Sequence, residues 1–249
     1  MAANFEGLTA VVTGAGSGIG LATARHLADA GATVYGLDLN HGGMNGIAEW
    51  IVCDVGSTES VAAAFATLGA RLDTLDILVN NAGIGAIGAI EEAEDDEWTK
   101  VLNVNVIGIA RVTRNALPLL RKSSNATIVN TCSVAANVGL PKRVIYGASK
   151  GAVQALTLAM AADLIAEGIR VNCVNPGTAD TPWVTRLLDQ AVDPRAEREA
   201  LENRQPNGRL VTADEVASAI CYLANPSQRS TTGTILAVDS GMHSLSVTH

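Results

Sequence analysis

One run near the start of the chain, Thr13-Gly14-Ala15-Gly16-Ser17-Gly18-Ile19-Gly20, restricts the fold more than any other segment. It joins a short apolar stretch, Leu8 to Val12, to a segment with apolar residues at Ile19, Ala22, Leu27 and Ala30 and a stop at Gly31. The pattern predicts a strand, a tight turn and a helix. Glycines let the backbone approach a pyrophosphate, and the helix N-terminus offers free N–H groups and the positive end of its dipole. Gly14, Ser17, Gly18, Ile19 and Gly20 are therefore candidate contacts to a dinucleotide. The spacing is T-G-x-x-x-G-x-G and not G-x-G-x-x-G, because Ile19 stands where the third glycine would fall.

A second strand, Ala32 to Asp38, ends in a carboxylate at the distance the fingerprint requires. An acid there accepts hydrogen bonds from the adenosine ribose and repels a 2′-phosphate. Leu39 follows, with no lysine or arginine beside it and Ser17 in the turn, so nothing welcomes an extra phosphate. The expected cofactor is NAD(H).

Tyr146 and Lys150 stand four apart in YGASK, with Ser133 upstream. On a helix such positions share a face. A free tyrosine has a pKa of about 10, and a fixed positive charge nearby favours its phenolate, as general acid–base chemistry near neutrality requires. The serine hydroxyl can donate to the same substrate oxygen. This trio moves a proton to or from an alcohol without metal or thiol, and no metal site is expected.

Strands are expected near residues 8–13, 32–38, 50–53, 75–80, 126–131, 169–174 and 234–238, with helices notably over 97–121, 145–167 and 213–224. The alternation predicts an α/β fold, a doubly wound, Rossmann-type, seven-stranded parallel sheet flanked by helices. The 249 residues suit a single domain, 1–249. HGGMNGIAEW is too short and glycine-rich for a helical crossover and is expected to form a loop.

These motifs, in this order, resemble the short-chain dehydrogenase/reductase family over nearly the whole chain. Asp54 in CDV, with Val55, fits the residues that meet the adenine. Asn80-Asn81-Ala82-Gly83 fits the family's N-N-A-G stretch, which places Asn81, Ala82 and Gly83 at the cofactor. Asn105 fits the asparagine that completes a catalytic tetrad with Ser133, Tyr146 and Lys150. Pro176, Gly177, Thr178 and Thr181 fit the segment beside the nicotinamide, and Val238-Asp239-Ser240-Gly241 stands where the family has V-D-G-G. The resemblance implies Tyr146 as general base or acid, and Lys150 on the tyrosine and the nicotinamide ribose. It implies Ser133 on the substrate oxygen and Asn105 on a water leading to Lys150. It also implies a homotetramer built on paired long helices.

The stretch between Pro176 and Leu210 reads as a substrate lid, about 178–210. Its Trp183, Arg186, Arg204 and Gln205 are candidate substrate contacts, with Asn137 and Val138 after Ser133 and Arg143 before Tyr146. The sequence G-T-x-D-T-P-W with a later R-Q-P-x-G-R resembles family members acting on L-fucose and deoxy-L-fuconate, so a sugar or sugar acid is the expected small-molecule substrate. The alternative is an NADPH-dependent 3-oxoacyl-carrier-protein reductase, against which Asp38 and Glu167 both argue. A non-catalytic dinucleotide sensor would have lost Tyr146 or Lys150, and both are present.

The formal charge of −8 argues against a nucleic-acid partner. The start, MAANFEG, lacks signal-peptide character, and no apolar run approaches membrane-spanning length. Cys53, Cys132, Cys173 and Cys221 lack metal spacing and read as buried free thiols in a reducing, cytoplasmic compartment.

Overall fold

The computed structural model describes residues 4–189 and 191–246. Its main sheet contains β1 (Thr9–Thr13), β2 (Thr33–Asp38), β3 (Glu49–Val52), β4 (Ile77–Asn80), β5 (Thr127–Thr131) and β6 (Arg170–Pro176). Two short strands, β7 (Ala179–Asp180) and β8 (Val211–Thr212), pair separately, and β9 (Ile235–Val238) closes the main sheet. The seven strands run parallel in the order β3-β2-β1-β4-β5-β6-β9.

Alternate strand residues face opposite sides, and both sides are covered. Val11, Leu78, Ile128 and Val171 pack with Val61, Phe65 and Leu68 of α2 (Thr58–Gly69) and with Val112, Ala116 and Leu120 of α4 (Gly108–Leu120). Ala10, Val12, Val79 and Val129 pack with Leu27 of α1 (Gly18–Asp29) and Val216, Ile220 and Leu223 of α8 (Ala213–Ala224). Every residue of β5 and β6 is buried, as expected of central strands sandwiched between helices. The strand order reverses between β1 and β4, and the carboxyl ends there open the crevice in which such sheets bind ligands.

Two expectations about helices meet different outcomes. The crossover over residues 39–48 is a loop, and it folds inward. Gly43 N donates to Gly16 O at 3.0 Å. The fully buried Met44 lies over Gly36, where any β-carbon would collide with its sulfur. A methionine thus covers ground that a helix would otherwise cover. The helix expected over 97–121 is not continuous. It comprises α3 (Asp95–Leu102), a widened π-helical turn over Asn103–Ile107, and then α4. The extra residue of such a turn re-aims side chains locally, which is why it recurs at functional sites. Asn105 lies in this turn. The helix carrying Tyr146 and Lys150 is α5 (Val144–Leu164).

Residues beyond β6 form a layer with its own small core. Here α6 (Pro182–Asp189) and α7 (Pro194–Asn203) pack Val184, Leu201 and Leu210 together. The β7–β8 ladder tethers this layer to the body, pairing Ala179 with Val211 and Asp180 with Thr212.

Candidate active site

A cavity of about 440 Å³ lies at the carboxyl ends of the central strands, a size suited to a small organic ligand. Its floor begins at the glycine turn. Gly14 has φ +66°, a backbone state that favours glycine, and a β-carbon there would stand 2.9 Å from Ala82 Cα. Thr13 binds the two segments together, its hydroxyl accepting from Asn81 N at 2.9 Å and Ala82 N at 3.0 Å. Asn81 Nδ2 returns a bond to Thr13 O at 3.1 Å. Gly20 lies behind the wall and not in it; any side chain there would collide with Gly14 O. Ser17 caps α1 with extended backbone but its side chain makes no capping bond, so the first N–H groups of the helix are left for an anion.

Asp38 lines the same cavity together with Leu39. Its carboxylate already fastens the turn, accepting from Gly16 N at 2.9 Å and Asn40 N at 3.1 Å. Asp54 and Val55 line it further along, with Asp54 Oδ1 accepting from Gly56 N at 2.8 Å. The cations that reach the cavity are Arg143, Lys150, Arg186 and Arg204, and none of them comes from the β2 region. A dinucleotide therefore fits the donor set, with a carboxylate and no cation where the adenosine ribose would lie.

Ser133, Tyr146 and Lys150 all line the cavity. Lys150 is 5% exposed; its Nζ donates to Thr131 O at 2.8 Å and stands 5.6 Å from the centre of the Tyr146 ring. Ser133 begins the short turn Val134–Ala136, its hydroxyl accepting from Ala135 N at 3.2 Å. Asn105 does not touch the cavity. It is 1% exposed and clamps Ile84, accepting from its N at 2.8 Å and donating to its O at 2.9 Å. It also donates to Ser149 Oγ at 3.1 Å, which in turn donates to Tyr146 O at 2.8 Å. Asn105 thereby holds both the Gly83–Ile84 wall and the first turns of α5.

Pro176, Gly177, Thr178 and Thr181 line the cavity, and so do Trp183, Arg186, Arg204 and Arg143. Arg143 Nη1 donates to Ala86 O at 3.2 Å, and its guanidinium lies 5.2 Å from the Trp183 ring centre. Burial, then the nearby Arg204 guanidinium, hold Arg143 below the ordinary arginine range, with Tyr146 and Glu197 opposing. Asn137 does not join them. It sits exposed beyond the Val134–Ala136 turn, outside the cavity lining, and its carboxamide oxygen accepts from Asn175 Nδ2 at 2.6 Å. Val138 lines a separate adjoining hollow. Gln205 is wholly buried behind Gly177, its Oε1 without a partner and its Nε2 3.8 Å from Met242 Sδ.

Sequence reasoning missed Gly85, Leu140 and Leu201, all of which line the cavity. Only Gly85 carried a signal, as a further glycine two positions after the end of the N-N-A-G stretch. The four cysteines are buried and unpaired with one another; burial pushes Cys53 up to about 11 and Cys221 to about 12. No cluster that could hold a metal and no helix long and apolar enough to cross a membrane exists among the described residues.

This fold and this cavity define a nicotinamide-dependent oxidoreductase class. The family model described as enoyl-(acyl carrier protein) reductase matches residues 14–243. The chain is 39% identical over 247 residues to cis-4-hydroxycyclohexanecarboxylate dehydrogenase of Sinomonas cyclohexanicum, covering 95% of this chain and 97% of that one. It is 35% identical to the 3-oxoacyl-[acyl-carrier-protein] reductase FabG of Vibrio harveyi over 96% of this chain and 99% of that one. The solved aldohexose dehydrogenase of Thermoplasma acidophilum superposes with a TM-score of 0.93 at 32% identity, covering 98% of this chain and 97% of that chain. The chain belongs to the short-chain dehydrogenase/reductase family. It is an oxidoreductase that uses a nicotinamide cofactor on a small-molecule substrate.

Proposed function

We propose that the protein is an NAD-dependent dehydrogenase acting on a secondary alcohol of a sugar or, preferentially, a sugar acid or comparable hydroxy acid. The observation that carries this reading is one continuous cavity. Asp38 lines it on the β2 side, three arginines on the lid side, and Tyr146 and Lys150 between them. Asp38 supports NAD over NADP, because a carboxylate repels a 2′-phosphate. Gly14, Gly18, Ile19, Asp54, Val55, Asn81, Ala82, Gly83, Pro176, Gly177, Thr178 and Thr181 would hold the dinucleotide. A nicotinamide held by these residues would supply the hydride acceptor or donor for the substrate carbon.

The chain's own residues handle the proton and the substrate's position. Tyr146 takes the hydroxyl proton as the alcohol becomes a carbonyl, and gives it back in reduction. Lys150 keeps a positive charge beside the phenol. Ser133 donates to the substrate oxygen, and Asn105 holds the wall that faces Lys150. Arg143, Arg186 and Arg204 supply forked donors matched to a carboxylate, with Trp183 as an apolar wall. A relative acting on a hydroxycyclohexanecarboxylate and a structural neighbour acting on an aldohexose are both compatible with that chemistry. We place the protein in the cytoplasm, where buried unpaired thiols suit reducing conditions. We also infer a homotetramer, supported by exposed Ala155, Leu158 and Ala159 on α5.

The test is NADH formation from NAD+ across sugars, sugar acids and simple secondary alcohols, with NADP+ in parallel and Tyr146→Phe as control. Turnover of acids with NAD+, lost in the variant, supports the reading. Reduction of an acetoacetyl thioester by NADPH, with no NAD+-linked oxidation, would overturn it in favour of an acyl-carrier-protein reductase.

A further inference from the structure

Gly85 directly follows the Asn81–Ile84 wall, and its backbone does not occupy the left-handed region that favours glycine. Alanine at this position therefore costs nothing in local backbone conformation. What excludes a side chain is the lid. A β-carbon at residue 85 would stand 2.6 Å from Trp183 Nε1, 3.0 Å from its Cε2 and 3.1 Å from its Cζ2. The indole of α6 is laid flush against the bare Cα of Gly85.

A second partner of that indole is Arg143. Its guanidinium is 5.2 Å from the Trp183 ring centre, within the range of attraction between a cation and an aromatic face. The same guanidinium donates to Ala86 O, the residue after Gly85. Backbone bonds fix the rest of this corner, with Gly88 bridged to Arg143 and Gly88 N donating to Lys142 O at 3.0 Å. The Gly85–Ala86 loop, the start of α5 and lid helix α6 therefore meet through one stack. Arg143 lies three residues before Tyr146 and is half-buried, with Arg204 as its cationic neighbour across the cavity.

We propose that Gly85 is a specificity-determining residue: its missing side chain seats Trp183, and Trp183 in turn fixes the Arg143 guanidinium for an anionic group of the substrate. Gly85 touches no reacting atom and acts through the other two, so it is a positioning residue. The inference rests on the dehydrogenase reading above and deepens it, because it concerns selection of a carboxylate-bearing alcohol over a neutral one. Geometry makes the dependence steep. An added methyl group forces the indole edge outward, and displacing a charged, forked donor by about 1 Å removes much of its alignment with a carboxylate.

The experiment uses four proteins: wild type, Gly85→Ala, Trp183→Phe and the double variant. Kinetics are measured with a matched hydroxy acid and its neutral amide, alongside NADH binding and tryptophan emission. Gly85→Ala is expected to raise KM for the acid about tenfold, as loss of aligned binding without loss of chemistry would, with kcat, NADH affinity and KM for the amide within about twofold. Phenylalanine lacks the Nε1 edge that meets residue 85. Trp183→Phe should therefore weaken acid binding in the wild-type background but improve it in the Gly85→Ala background. This reversal of sign is something general lid damage would not produce. Equal effects on acid and amide, or no recovery in the double variant, would overturn the proposal. If wild type oxidises no alcohol at all, the dehydrogenase reading fails instead. Trp183 emission, taken as wild type minus Trp183→Phe, then still decides the seating. A shift to longer wavelength in Gly85→Ala supports it, and an unchanged spectrum overturns it.

Discussion

The Lys150 ammonium nitrogen stands 5.6 Å from the centre of the Tyr146 ring and is held there by a 2.8 Å bond to Thr131 O. A buried ammonium needs partners, and this one has a strand-end carbonyl on one side and the cavity on the other. Tyr146→Phe is accordingly expected to lower kcat by about 10²-fold or more, the share general acid–base catalysis commonly supplies. NADH binding should survive that change. Lys150→Met should lower kcat and, on the proposed placement of the cofactor, also weaken NADH binding, since Lys150 lines the same cavity. Stopped-flow turnover together with NADH fluorescence titration checks both. Full activity in Tyr146→Phe would remove Tyr146 from the chemistry.

Asp38 gives the second prediction. Its two oxygens brace the glycine turn through Gly16 N and Asn40 N, and its charge faces the cavity. Asp38→Ser keeps a short polar side chain and removes the charge. NAD+ affinity should fall, and NADP+ should come within about tenfold of it, since a like-charge penalty no longer opposes the 2′-phosphate. Comparing kcat/KM for the two cofactors settles the matter. An unchanged preference for NAD+ would place the discrimination elsewhere.

The strand–turn–helix start and the cavity wall that carries Asp38, Tyr146 and Lys150 were legible in the sequence for a physical reason. A glycine turn, a strand-end acid and Tyr-x-x-x-Lys are local patterns whose geometry follows from backbone sterics and helical periodicity. The seven main strands came through for the same reason, as apolar runs between turn signals. The π-helical turn at Asn103–Ile107 did not, because apolar periodicity around it continues across the extra residue. Asn137 misled because proximity to Ser133 in the chain says nothing about the direction of its side chain, which Asn175 claims. Gly85 and Trp183 lie far apart in sequence, and their contact exists only once α6 packs against the Gly85–Ala86 loop.

Gln205 supplies a prediction about stability. It is fully buried, its Oε1 has no partner, and a β-carbon on Gly177 would approach that oxygen to 2.5 Å. An unsatisfied buried amide is costly, whereas an apolar group of similar shape is not. Gln205→Met should therefore raise stability by about 1 kcal/mol, seen as a higher urea midpoint with unchanged slope. A lowered midpoint would mean that the amide has a polar partner in solution.

The last prediction concerns acid. Glu215 caps α8 through Thr212, accepting from Thr212 N at 2.8 Å, and receives Arg209 at 2.9 Å and 2.6 Å. The Arg209 bonds first, and the Thr212 N–H second, hold its carboxyl down to about 2. An unfolded chain restores it to the ordinary glutamate value of about 4.3. The unfolded state therefore takes up this proton first as the pH drops. The pair's contribution is present in full above about pH 4.5 and is lost as the pH falls towards about 2. Because Glu215 and Arg209 are both exposed, solvent screening keeps that contribution under about 1 kcal/mol. Glu215→Gln retains the capping geometry and removes only the charge. The gap in urea midpoint between wild type and Glu215→Gln should be widest at neutral pH, close steadily below about pH 4.5, and shrink in high salt. A gap that stays constant across that range would show that Arg209 gains nothing from the charge, leaving the Thr212 cap as the sole contribution of this side chain.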